Sequence, residues 1–287
     1  MKLSDKIEYS INLIRKGEKL ALSMNPDGYF VGFSGGKDSQ VLLELVKRAG
    51  VKYKVYYSVT TNDPPENVYF IRKYYQEVIF LHPKENFFKL VEKKGLPTIF
   101  RRYCCAELKE NKGIGSVCLM GVRSEESAKR NKYNDVAIIS RRKEHYDRNR
   151  KITVEEIEEN EHKCIKGKDK IVIRPILHWS SDDIWQFIEE NNLPKNPCYN
   201  EFGRVGCMFC PFSTREQIDY YCKKYPRYKR NVINAIEVFI SKYKGKKYWN
   251  NAEAYFEWWK SKKSVKKYIA DKCQLCMQFL YEYENNE

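Results

Sequence analysis

Tyr29-Phe30-Val31-Gly32-Phe33-Ser34-Gly35-Gly36-Lys37-Asp38-Ser39 is the stretch that decides the fold. Its first five residues read as a short apolar strand. The glycine pair then makes a tight turn into a helix carrying Val41, Leu42, Leu45 and Val46 at core spacing. Two glycines after a strand let backbone N–H groups converge on an anion, and the following helix adds the positive end of its dipole. Lys37 brings a point charge for phosphate, and Ser34 and Ser39 bring hydroxyl donors. Asp38 can help hold a magnesium ion or sit in the helix's first turn as a cap. A Walker A loop is excluded, because that motif needs glycine where Val31 stands and Ser or Thr where Asp38 stands.

Outward from the loop, Tyr53 to Val59 supplies a second strand. The resulting strand–helix–strand unit implies a parallel sheet. Apolar runs at Val78–Leu81, Val117–Val122, Val136–Ile139 and Ile171–Ile173 alternate with helical stretches. The expected fold is α/β, a doubly wound and mostly parallel sheet of about five strands, which places ligands at the strands' carboxyl ends. Residues 1–27 read as one amphipathic helix ending in a turn. Residues 28–211 read as the nucleotide-binding domain, and 212–287 as a basic, aromatic-rich helical region. The charged stretch 141–170 reads as an exposed excursion.

The chain has 287 residues, a formal net charge of +15 and ten cysteines. No run approaches the roughly 18 apolar residues of a membrane span, and no secretory leader precedes the first helix. A cytoplasmic protein with no membrane partner is expected. In a reducing compartment, clustered cysteines point to metal, redox or sulfur chemistry rather than a disulfide framework. Residues 212–272 hold 16 Lys/Arg against 6 Asp/Glu, two-thirds of the net charge, together with 14 aromatics. That composition suits the backbone and bases of a nucleic acid, and equally an ordinary solvated lysine-rich face.

Several segments carry a family resemblance. The loop Ser34–Ser39 resembles that of the PP-loop ATP pyrophosphatase superfamily. Thr61-Asn62-Asp63-Pro64-Pro65-Glu66, Arg102-Tyr103-Cys104-Cys105 with Lys109, and Gly121-Val122-Arg123 through Glu126, Ser127 and Arg130 follow in order. Arg174-Pro175 through Trp179, Asp183 and Trp185 to Asn196-Pro197, and then Gly206-Cys207-Met208-Phe209-Cys210-Pro211, complete the set. Together these segments resemble the phosphoadenylyl-sulfate (PAPS) reductase-like branch, whose fold is that of the adenine nucleotide alpha hydrolases. The resemblance implies that ATP or an adenylated sulfate binds at Ser34, Gly35, Gly36, Lys37, Asp38, Ser39, Thr61, Arg123 and Arg130, with a magnesium ion as a further option. Guanidinium forks suit bidentate oxyanions, although ion pairs with Glu125 and Glu126 are the bland reading of both arginines. Trp179 and Trp185 read as core, and so does Cys118.

Iron–sulfur sulfonucleotide reductases use a tandem cysteine pair plus a distant Cys-x-x-Cys. The resemblance therefore implies Cys104, Cys105, Cys207 and Cys210 as ligands of a 4Fe–4S cluster. Cys198, nine positions before Cys207, is an alternative ligand, an arrangement similar to the sulfur-insertion subunit of DNA phosphorothioation systems. Cys207-x-x-Cys210 with Cys273-x-x-Cys276 is a zinc alternative. The reductases also carry a Glu-Cys-Gly-x-His-type tail, and here the corresponding region reads Lys272-Cys273-Gln274-Leu275-Cys276. Cys276 or Cys273 is the candidate nucleophile, and Lys109 a candidate catalytic residue. Three functions follow as expectations. One is ATP-dependent sulfur transfer, with a nucleic acid among the acceptors. The second is sulfonucleotide reduction to sulfite, and the third a nucleotide- and cluster-binding accessory role. A reductant or sulfur-donor protein is a further expected partner.

Overall fold

The computed structural model describes residues 2–140, 153–159, 169–242, 249 and 251–272. Its helices and strands, in chain order, are α1 (Leu3–Lys16), α2 (Glu18–Met24), β1 (Tyr29–Phe33), α3 (Lys37–Ala49), β2 (Tyr53–Ser58), α4 (Pro65–Tyr74), β3 (Ile79–Leu81) and α5 (Phe87–Lys94). Then come α6 (Tyr103–Cys105), β4 (Val117–Met120), β5 (Val136–Ser140), α7 (Val154–Glu159), β6 (Asp169–Ile173) and α8 (Ser181–Glu190). The chain continues through α9 (Tyr199–Phe202), α10 (Arg215–Lys224), α11 (Pro226–Lys242) and α12 (Ala252–Ser261). A π-helix over Ala106–Glu110 continues directly from α6. The expected N-terminal helix is two helices, parted at Gly17, where the Tyr29 hydroxyl donates to Ile14 O at 2.6 Å. Most of the charged stretch 141–170 lies outside the described residues.

The chain divides into two compact units. One comprises residues 1–83 and 107–206, the other residues 84–106 and 207–287.

The first unit is the sheet. Its strand order is β3-β2-β1-β4-β6-β5, six strands rather than five. β1 pairs in parallel with β2 and β4, β2 with β3 and β4 with β6, while β5 runs antiparallel to β6. The antiparallel edge strand is what makes the sheet mostly, not wholly, parallel. β1 is central because its inward residues are apolar: Tyr29, Val31 and Phe33 are buried, and Val31 lies in register between Val55 and Leu119. α3 lays Val41, Leu42, Leu45 and Val46 into the same core, joined by Trp179, Ile184 and Phe187. Successive connections run outward from β1 through β2 to β3, and β4 lies on the opposite side of β1. The chain therefore reverses between β1 and β4. Loops leaving the carboxyl ends of those two neighbours part to opposite sides, which opens a crevice there.

The second unit is helical. α5 packs along α11, and α11 packs against α10 and α12. Its core includes Phe87, Leu90, Phe209, Ile218, Ile236, Phe256 and Trp259. Tyr255 accepts a hydrogen bond from Leu96 N at 3.2 Å, and Trp259 Nε1 donates to Pro97 O at 2.6 Å. α12 thereby anchors the segment that leads to the tandem cysteines. Among the described residues, no helix is long and apolar enough to cross a membrane.

Candidate functional sites: an anion loop and a cysteine quartet

The anion loop occupies the turn between β1 and α3, on the first unit's switch point. Gly35 has φ +76°, a conformation only glycine adopts cheaply, and an added Cβ would lie 2.4 Å from Asn67 Oδ1. The loop's carbonyls are tied down from inside the protein. Gly35 O accepts from Asn196 Nδ2 at 2.9 Å and from Gln40 Nε2 at 3.3 Å, and Ser34 O accepts from Asn67 Nδ2 at 3.1 Å. Asn196 also donates to Asn67 Oδ1 at 2.7 Å and accepts from Cys198 N at 2.9 Å, so both buried amides are committed to the scaffold. Ser39 Oγ donates to Gly36 O at 2.8 Å and accepts from Ser34 N at 3.2 Å, which makes it a brace inside the loop. Ser34 itself is exposed.

Charged groups meet at this turn. Asp38 Oδ1 accepts from Lys37 Nζ at 3.2 Å and from Arg123 Nε at 2.5 Å. Arg123 is buried and reaches Glu125 Oε2 at 2.7 Å as well. It comes from the loop after β4, where Gly121 lies so close to α3 that a Cβ would meet Asp38 O at 2.9 Å. Burial lowers the Lys37 pKa from its ordinary value; the Asp38 carboxylate pulls the other way, and the Arg123 charge lowers it further. The structure gives Asp38 as an ion-pair partner in the first turn of α3, with no side-chain cap. Arg130 pairs with Glu126. Thr61 stands at φ +55° beside a turn in which Asp63 accepts from Thr60 N at 2.7 Å. Trp179 is buried, whereas Trp185 is only partly so. The Trp185 ring lies 5.9 Å from Lys37 Nζ, 5.8 Å from Lys195 Nζ and edge-on to Tyr199.

Sequence reading assigned no role to Asn67, Gln40 or Tyr199. The Tyr199 hydroxyl accepts a hydrogen bond from Lys37 N at 2.8 Å, the first helical amide after the glycine pair. Burial pushes the phenol up to about 12, so it stays protonated. Asn196 stood in a recognised segment, but only its hydrogen bonds reveal that it supports the loop.

The cysteine quartet belongs to the second unit. Cys104 and Cys105 form α6, and Cys207-x-x-Cys210 forms a turn whose inner residues, Met208 and Phe209, are buried. Phe209 stacks on Tyr228 with centroids 5.5 Å apart and planes 6° from parallel, which pins the turn. All four cysteines are half-buried and free of disulfides. The Cys104 thiol is pushed well above its ordinary range, first by its hydrogen bond with Cys105, then by burial and by the charges of Cys105, Cys207 and Cys210. The other three thiols are thus near enough for their charges to be felt at Cys104, and bound cations are what relieve such repulsion. Among the described residues, no three His, Cys, Asp or Glu close around a single-ion site. Four thiols are the donor set that a 4Fe–4S cluster takes, one on each of its irons. Lys109 lies exposed on the π-helix. Cys198 is buried in the first unit beside α9. Cys118 is buried, as read from sequence, its thiol raised to about 12. Cys273 and Cys276 lie outside the described residues.

Loop, arginine segment and cysteine pairs all fall within or close to one family match. Residues 28–213 fit the phosphoadenosine phosphosulfate reductase domain. The chain belongs to that family. An uncharacterized protein of Methanocaldococcus jannaschii is 28% identical over 254 residues, covering 83% of this chain and 57% of the relative. The chain spans about half the length of the curated relatives it matches. Among solved structures, a PAPS reductase from Candida auris in a phosphate complex aligns with a TM-score of 0.44 at 16% identity, covering 71% of this chain and 93% of that one. The U34-tRNA thiolase NcsA from Methanococcus maripaludis, with its 4Fe–4S cluster, aligns with a TM-score of 0.42 at 14% identity, covering 85% and 82%.

Proposed function

We propose that this member of the PAPS reductase domain family is an ATP-dependent sulfur transferase. The observation that carries the reading is the pairing, in one chain, of a fully scaffolded anion loop with a gathered quartet of thiols. In this reading the N-terminal amides of α3 and the Lys37 ammonium hold the phosphates, with Ser34 as a hydroxyl donor at the rim. Arg123 releases Asp38 or Glu125 to meet the charge that builds as pyrophosphate departs. Where Arg123 releases Asp38, that carboxylate, still beside Lys37, would meet a magnesium ion, the hard cation that phosphate chemistry favours. Adenylation activates the acceptor, and a sulfur nucleophile displaces AMP. Cys104, Cys105, Cys207 and Cys210 would hold the 4Fe–4S cluster, which supplies sulfur-ligating and redox chemistry when bound. The basic second unit suits a polyanionic acceptor.

A second reading, sulfonucleotide reduction, is favoured by family membership itself. There the same loop grips an adenylated sulfate, a cysteine such as Cys276 or Cys273 attacks its sulfur and displaces the nucleotide, and an external thiol resolves the thiosulfonate to sulfite and a disulfide. One experiment separates the two. Anaerobically purified protein is incubated with ATP, a sulfide donor and candidate acceptors, and in parallel with adenylyl sulfate and a thiol. Acceptor-dependent pyrophosphate release is expected. Sulfite release without pyrophosphate would replace the transferase with the reductase.

A further inference from the structure

The second unit contains a cavity of about 610 Å³ that begins at Pro211 and Phe212, directly after Cys210. That volume is within the range of small-ligand sites and admits one nucleotide. The charges around it are unevenly matched. Lys260 is bridged to Asp219 and Glu257, Arg215 to Glu257 and Lys263 to Asp271. Lys262 and Lys272, also on the lining, have no carboxylate partner among the described residues. Lys262 lies close enough to Cys210 for the two to influence each other electrostatically.

Both ammoniums instead face aromatic rings, Lys262 Nζ 4.5 Å from the Trp259 ring centroid and Lys272 Nζ 5.3 Å from that of Tyr268. Phe212 is half exposed with the Arg102 guanidinium 5.5 Å from its ring centroid, and Tyr268 lines the same cavity. Ile99 joins the lining from a tight turn closed by paired Thr98 and Arg101 backbone hydrogen bonds. Phe100, on that turn, is fully exposed. Ile99 and Phe212, which line the cavity, are themselves partly exposed, so apolar surface is grouped here rather than scattered singly. Exposed rings beside ammoniums that no carboxylate neutralises are what single-stranded nucleic acids require: stacking for the base and charge for the phosphate. A duplex keeps its bases inside and offers the rings nothing to stack on.

We propose that this cavity seats one unpaired nucleotide of a single-stranded nucleic acid, with the base against Phe212 and the phosphate on Lys262 and Lys272. The inference rests on the transferase reading for its purpose, since it would present an acceptor base beside the thiols. Its physical basis is independent of that reading.

The test is fluorescence anisotropy of the intact protein with labelled oligo(U) and oligo(dT), at several salt concentrations and without ATP. Wild type should bind either single strand better than the matching duplex, and the two arms report whether ribose matters. Phe212→Ala should weaken binding at least about fivefold, as loss of one stacked base does. Lys262→Gln with Lys272→Gln should lower the slope of log affinity against log salt by about 0.7, one single-strand phosphate's worth. These side chains are exposed, and circular dichroism confirms that the variants fold. Unchanged binding in both variants, a preference for duplex, or equal displacement by polyglutamate would each overturn the proposal. ATP binding and iron content, measured on the same samples, report on the transferase reading separately. Loss of either leaves the oligonucleotide result interpretable.

Discussion

The first unit fixes its loop with buried amides, whereas the second fixes its cysteines with aromatic packing. Around the loop, Asn67, Asn196 and Gln40 satisfy the carbonyls of Ser34 and Gly35, so the N-terminus of α3 is set before any ligand arrives. Such preorganisation spares a ligand the cost of ordering its site. Around the cysteines, Phe209 and Tyr228 hold the turn, but the other three thiols oppose the ionisation of Cys104. The loop's carbonyls are satisfied within the protein, whereas the thiols crowd one another.

The largest expected effect tests that contrast from the cysteine side. Cys207→Ser should abolish iron binding, read as loss of visible absorption and of iron in anaerobically purified protein. ATP affinity, measured by calorimetry, should stay within about twofold of wild type. A parallel fall in ATP affinity would show that the two sites are not separable. From the loop side, Lys37→Met removes a charged hydrogen-bond donor worth about 1.5–3 kcal/mol. Nucleotide affinity should drop roughly ten- to hundredfold while iron content is unaltered.

Asn196→Ala sharpens the claim of preorganisation. It strips a donor from Gly35 O and leaves Asn67 Oδ1 without its partner, an unsatisfied buried group costing about 1–3 kcal/mol. Thermal unfolding should shift down, and ATP should bind more weakly even though Asn196 touches only the scaffold. Retained affinity would mean that the loop is ordered by its ligand after all.

The pH dependence follows from Lys37. Its folded pKa is lowered by burial, so between that value and the unfolded value of about 10.4 the unfolded chain holds the extra proton. Stability therefore rises with pH across that window as far as Lys37 is concerned. Phosphate affinity moves the other way, because neutral Lys37 no longer attracts it. ATP binding should begin to weaken at a lower pH than an ordinary lysine would allow, and Lys37→Met should lose that dependence. The smallest effect belongs to Tyr199→Phe. The phenol occupies the Lys37 amide, and an arriving phosphate oxygen must displace it. Removing the hydroxyl should tighten ATP binding a few-fold, on the scale of one net hydrogen bond of about 0.5–1.5 kcal/mol. Weaker binding would instead make Tyr199 a donor to the ligand.

Much of the first unit was legible because parallel buried strands are continuous apolar runs and a glycine pair has few uses after one. Val31, Val117–Leu119 and Ile171–Ile173 identified themselves in this way. The antiparallel pairing of β5 did not, since nothing in residues 136–140 distinguishes strand direction. Gly35, Lys37 and Arg123 were legible as chemistry. Asn67 and Tyr199 were not, because their roles come from the fold bringing residues 33 and 162 positions apart into contact. The helical unit was visible as composition, but that residues 84–106 belong to it depends on α5 meeting α11, a packing event without a sequence motif.

That interleaving has a consequence for how the protein is made. A ribosome emits Cys104 and Cys105 roughly a hundred residues before Cys207 and Cys210. At 5–20 residues per second, the tandem thiols wait several seconds for their partners. Throughout that interval α5 lacks α11, and the segment that carries the first two thiols has no completed unit to join. Iron delivery is therefore expected to be a late event, after most of the sheet-forming sequence has been synthesised. Pulse-labelled nascent chains arrested before residue 207 should carry no iron, and their Cys104 and Cys105 should react readily with alkylating reagents.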